Sequence, residues 1–178
     1  MNERAAFPLA ERLRSGGVGI GEAFAFLSGL YFRGKLAYAE RFARPPAHVP
    51  GVLVITATRG LMPAQAMVGP DDLRDFGSVD IRADDPRYRE PLERDVRRLA
   101  AHPETEIVLL GSVATGKYVD VLVEILGERV VFPADFVGRG DMSRGALLLR
   151  AAREGRELDY RPVTGAARRG PRPTKAGS

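Results

Sequence analysis

The chain reads as an α/β protein, a single three-layer domain with a mainly parallel sheet and helices on both faces. Three observations predict this. Short apolar, β-branched runs at residues 52–56, 106–110 and 129–133 have the length and boundaries of buried strands. Segments with apolar residues at helical spacing alternate with these runs. Gly and Pro punctuate the junctions, and strands that alternate with helices favour parallel pairing.

Residues 9–14 read as a short helical turn, which Ser-Gly-Gly-Val-Gly at 15–19 breaks. Residues 22–43 are helical by period, with Phe24, Leu27, Leu30, Tyr31, Tyr38 and Phe42 recurring. Gly29 and Gly34 weaken that helix, so two helices or one bent helix are expected. Residues 44–50 and 57–63 are loops around the strand at 52–56, and 71–76 forms one helical turn. Pro91 starts a helix over 91–101, with Leu92, Val96 and Leu99 on one face. Gly127 ends a helix over 117–126. Asp141 caps a last helix over 142–154, Gly155 ends it, and residues 158–163 add an edge strand.

Length and composition fit one domain over residues 1–163, with a helical part at 1–43, followed by a basic tail at 164–178. The tail carries Arg168, Arg169, Arg172 and Lys175 and no acid. It accounts for the whole formal charge of +4, and the rest of the chain is neutral. With little apolar surface, the tail is expected to be flexible and to offer weak contact to nucleic acid. There are no cysteines and two histidines, His48 and His102, which leaves no thiolate or multi-histidine metal centre. No metal is expected, and no cofactor is specified. No apolar run is long enough to span a membrane, and the first residues lack the order of a secretory signal, so a cytoplasmic protein is expected.

Two glycine-rich turns carry the functional expectation. Residues 111–118, Gly-Ser-Val-Ala-Thr-Gly-Lys-Tyr, follow one strand run and open a helix. Residues 138–145, Gly-Arg-Gly-Asp-Met-Ser-Arg-Gly, follow another and open the last helix. Backbone N–H groups at such turns suit an anion. Gly111, Ser112, Thr115, Gly116 and Lys117 are expected to cradle phosphate, with Arg139, Ser143 and Arg144 contributing from the second turn. Thr58 and Arg59 leave the strand at 52–56 at the same expected edge and complete the ligand-binding set. Asp141 is the acid–base candidate, with Arg144 as its catalytic partner, unless Asp141 is only a helix cap. The first turn fits G-x-x-x-x-G-K, but Tyr118 stands where a phosphate-binding loop needs Ser or Thr for magnesium, so a nucleoside-triphosphatase is disfavoured. Tyr31, Arg33, Lys35 and Tyr38 form a basic-aromatic group on the early helix, read either as a nucleotide flank or as core and solvated stems.

The order of segments resembles a group of uncharacterised bacterial α/β domains. The resemblance rests on the helix at 30–40 (Leu-Tyr-Phe-Arg-Gly-Lys-Leu-Ala-Tyr-Ala-Glu), the turn at 55–63 (Ile-Thr-Ala-Thr-Arg-Gly-Leu-Met-Pro), the strand–Gly–helix unit at 108–126 and the Pro-then-Gly turn at 132–144. That group is similar in outline to uracil-DNA-glycosylase-like and base-modification-associated domains. The resemblance implies a nucleotide or nucleic-acid setting. The Asp-Pro-Tyr and His-Pro-Ser signatures of the glycosylases do not occur in the chain.

The expectation is therefore an anion pocket at strand ends, taking a phosphorylated small molecule or nucleotide. Whether the protein is an enzyme is open; if so, nucleotide or nucleoside processing of an N-glycosidase or transferase type is expected. The alternative is a non-catalytic module that binds nucleic acid or a protein partner.

Overall fold

A computed structural model describes residues 3–114 and 116–165; the expected tail lies almost wholly outside the described residues, as does Thr115. The fold is mixed α/β. In chain order the elements are α1 (Glu3–Ser15), β1 (Val18–Gly19), α2 (Ile20–Ser28), α3 (Leu30–Phe42), β2 (Leu53–Thr56), β3 (Gly60–Pro63), β4 (Met67–Val68) and α4 (Pro70–Gly77). They continue with α5 (Pro86–Ala100), β5 (Ile107–Val108), α6 (Gly116–Leu126), β6 (Val130–Pro133), α7 (Asp141–Glu154) and β7 (Tyr160–Pro162). Among the described residues no helix is long and apolar enough to cross a membrane.

The expected mainly parallel sheet is corrected. The strands form three small sheets, β1–β4, β2–β3 and β5–β6–β7. Among the described residues only β5 and β6 pair in parallel, Ile107 with Val130 and Val108 with Val131. β2 and β3 form a tight hairpin in which Thr56 pairs with Gly60. The segment after Thr56 therefore turns back as a strand, where a loop was expected. Gly60 makes this possible, with φ +69 and no room for a β-carbon, which would collide with the Pro91 carbonyl and the Asp95 carboxylate.

Most elements fall where periodicity and punctuation place them. Gly29 separates α2 from α3, and Gly155 ends α7 in the left-handed region. Two boundaries move. α5 begins at Pro86, five residues early, because Asp85 accepts a hydrogen bond from the Arg87 N–H and Pro86 suits a first turn. Asp141 is the first residue of α7, not its cap; Gly140 holds the cap position without a side-chain bond. An acid in that first turn still suits the helix dipole.

Two apolar clusters hold the fold. The larger gathers α3, α5, α6, β6 and α7 around Tyr38, Tyr88, Leu92, Val119, Phe132 and Leu148. The smaller joins β1, α2, β2 and β4 around Val18, Ile20, Val54 and Phe76. Asp95, buried at the β3–α5 contact, accepts from the Leu61 N–H and pairs with Arg94 and Arg98. Burial works to raise its carboxyl, but the Arg94 hydrogen bond, the Leu61 amide and the two guanidinium charges outweigh that and hold it below the usual carboxylate range.

α3 and α7 cross at close range. A β-carbon on Gly34 would lie 2.6 Å from the Gly145 carbonyl oxygen, and one on Gly145 would lie 2.8 Å from the Tyr31 α-carbon. Gly34 was expected to weaken its helix; instead it lets two backbones touch. Alanine at Gly145 is expected to cost about 1–3 kcal/mol by overpacking against backbone that cannot yield. Alanine at Gly77, which meets nothing within 4 Å, is expected to be neutral or slightly stabilising. Urea melts of the two variants check this; equal midpoints would contradict the close crossing.

Candidate functional site

The parallel β5–β6 pair sends the chain out along one edge twice. After β5 it runs through Gly111 and Ser112 into α6; after β6 it runs through a 3-10 turn at Ala134–Phe136 into α7. The two glycine-rich turns are therefore neighbours. Side chains from α3 join them. The Tyr31 hydroxyl donates to the Leu110 carbonyl at 2.9 Å, and its ring meets Phe136 edge-on with centroids 6.4 Å apart.

Arg144 reaches back from α7 and donates through Nε and a terminal nitrogen to the Phe136 carbonyl, at 3.3 and 3.1 Å. Its side chain is only 16% exposed, and Asp141, 71% exposed, stands 3.7 Å away. Lys35 follows Tyr31 by one helical turn, and its Nζ lies 4.0 Å from the Tyr31 ring centroid. Lys35 is half-buried and forms no ion pair among the described residues. Burial lowers its ammonium below the ordinary lysine value; Asp141 pulls the other way and Arg144 adds to the fall.

The phenols respond in the opposite sense. Burial pushes the Tyr31 hydroxyl up to about 12, although Arg144 opposes it. Burial also raises Tyr118, against the pull of the Ser112 amide. The Tyr118 hydroxyl lies over the first turn, 2.5 Å from where a β-carbon on Gly111 would sit. The Asp120 carboxylate folds back beside Gly116. Tyr88 is fully buried, its hydroxyl has no hydrogen-bond partner, and Tyr118 is its electrostatic neighbour.

The sequence-predicted residues divide. Gly111, Ser112, Asp141 and Arg144 come together at the β5–β6 edge. Gly116, with Asp120 folded back beside it, opens α6, and Lys117 is exposed on its first turn. Arg139 is exposed and donates to the Asp135 carbonyl and to Ser143 Oγ, which links the two residues within their own turn. Thr58 and Arg59 do not share this edge, because β2 belongs to a separate hairpin. Thr58 donates to Asp75 at 2.6 Å, and Arg59 pairs with Asp72 at 2.7 Å and lies over the Phe76 ring, so α4 holds both. Thr115 lies outside the described residues.

Two surface depressions lie elsewhere. One of about 280 Å³ runs between the end of α1 and Gly69; another of about 580 Å³ lies between α1 and α2, beside Phe26 and Arg33. Neither includes a residue of the cluster, so the expected pocket is a partly exposed set of donors. Sequence reading singled out Tyr31 and Lys35 by their spacing but did not connect them to the turns. Tyr118 entered it only as a departure from a motif. The signal that links them is the pair Gly34 and Gly145, one on each crossing helix.

No family model, curated protein or solved structure matches this chain.

All five tyrosines have phenols raised above the ordinary value, each chiefly by burial. The folded protein holds these protons where the unfolded chain releases them. The resulting stability is therefore complete below about pH 10 and falls as pH rises past it. Absorbance titration is expected to show less tyrosinate in the folded protein at pH 10 than in the unfolded chain, with the rest released together with alkaline unfolding. Independent titration of several tyrosines near pH 10 with the fold intact would contradict the burial described.

Proposed function

We propose that this protein binds a phosphorylated small molecule, a nucleotide being the first class to test, at the β5–β6 edge. Lys35 and Arg144, half-buried cations from two crossing helices, carry the reading. A half-buried ammonium that meets ring faces and no bonded carboxylate gains from an anion beside it. Arg144 adds a fixed guanidinium charge, its Nε and one terminal nitrogen held by the Phe136 carbonyl and its other terminal nitrogen turned toward Asp141. The starts of α6 and α7 add positive helix ends on the same side.

The unpartnered Tyr88 hydroxyl behind Tyr118 supports a polar occupant near the first turn. Tyr118 itself covers Gly111, which counts against a triphosphate lodged deep in that turn. The anion then sits toward Arg144 and Lys35, with Tyr31 beside it. Asp141, exposed and close to Arg144, is the group placed to exchange protons with a bound ligand. This reading keeps the nucleotide setting that the resemblance implies and fits a cytoplasmic role. Enzymatic turnover of a nucleotide or nucleoside would be a further step at the same cluster.

Calorimetric titration with inorganic phosphate and with nucleoside monophosphates tests the proposal. Arg144→Gln is expected to weaken binding roughly 10–100-fold, the worth of a charge-assisted hydrogen bond. Arg59→Ala, on the α4 side, is expected to leave affinity unchanged. Equal losses from both variants, or no saturable binding by the unaltered protein, would sink the proposal.

A further inference from the structure

α2 is apolar on two sides, and the core uses one of them. Ile20 and Ala23 are buried, and Phe24 packs edge-on against Phe32 and Phe76. Glu22, Ala25 and Phe26 recur at helical spacing on another side and form one wall of the groove of about 580 Å³ between α1 and α2. Leu9 and Arg12 of α1 and Arg33 of α3 complete it. Its size and its apolar walls with a few charged groups are those of small-molecule sites. Phe26 is 47% exposed there and adds nothing to the core. Apolar surface of this kind, rimmed by charge, marks a place of contact. The charges at the rim do not balance. Arg12 forks onto both oxygens of Glu22, at 2.7 and 2.8 Å. Arg33, exposed on the first turn of α3, has no side-chain hydrogen bond or ion pair among the described residues. Two guanidinium groups therefore face one carboxylate.

We propose that the α1–α2 groove is a second binding site, which takes a small amphipathic monocarboxylate. The apolar body of the ligand lies along Leu9, Ala25 and Phe26, and its carboxylate meets Arg33. A free guanidinium offers a carboxylate two parallel N–H donors, the pairing that Arg12 and Glu22 already make in the same groove. One negative charge balances the groove, whereas a doubly charged phosphate would leave an excess beside Glu22. A second copy of the chain fits less well. A two-fold contact through this face would bring in another unpaired Arg33 and no free acid, since Arg12 holds Glu22. No groove residue belongs to the β5–β6 cluster, so this inference stands apart from the anion site proposed there.

Octanoate and octanol test this, because they share an apolar chain and differ in the carboxylate. Calorimetric titration of the full chain is expected to show one saturable site for octanoate and binding roughly tenfold weaker for octanol, the worth of a charge-assisted hydrogen bond. Arg33→Gln is expected to weaken octanoate by a similar factor and to leave octanol unchanged. Phe26→Ser is expected to weaken both. Phe26 and Arg33 are exposed, so neither variant opens the core. Arg144→Gln, at the other site, is expected to change nothing here. Equal affinity for the two probes, octanoate binding that survives Arg33→Gln, or no saturation at millimolar octanoate would overturn the proposal. Sedimentation supplies a further check: a dimer that Phe26→Ser splits, in a protein that does not bind octanoate, would assign the groove to a second copy and overturn it as well.

Discussion

Gly34 and Gly145 let the backbones of α3 and α7 touch, and the candidate site depends on that contact. A side chain at either position would push the helices apart by the width of a methyl group or more. Tyr31 and Lys35 would then withdraw from Arg144 and from the Leu110 carbonyl. The contact also sets the edge-on meeting of Tyr31 with Phe136 and the closed packing around Leu148. Helix propensity alone disfavours both glycines; close packing gives each its place.

The second determinant is the parallel pairing of β5 with β6. β5 and β6 are short, yet their shared direction delivers two turns and two helix starts to one edge. β7 closes the other side of β6 in antiparallel fashion, and Tyr38 and Tyr160 fasten it to α3 through a hydroxyl pair 2.6 Å apart. The result is a small sheet whose exposed corner gathers cations and phenols while its centre stays apolar. Desolvation then acts in opposite directions on neighbouring groups, lowering Lys35 and raising Tyr31 and Tyr118. Groups tuned apart in this way are suited to chemistry as well as to binding.

Local signals in the sequence located most helices and the three main strand runs, because period and punctuation are local properties. Asp85 and Pro86 show the limit: a stronger start signal upstream overrode the one read at Pro91. Pairing direction was not legible. The alternation of strands and helices implied a single parallel sheet, but Gly60 folds the segment after Thr56 back on itself. Thr58 and Arg59 were lost to the site for that reason. Arg144, Asp141, Gly111 and Ser112 were found because a turn before a helix is a local pattern. Lys35 and Tyr31 needed a contact across more than one hundred residues of chain, which no local pattern encodes.

The most direct test of the account is a two-dimensional amide spectrum of the protein titrated with inorganic phosphate. The account predicts saturable shifts at Ser112, at the first turn of α7 including Arg144, and at Tyr31 and Lys35, all with one dissociation constant. Shifts confined to exposed surface arginines without saturation, or centred on the α4 side at Thr58 and Arg59, would contradict it.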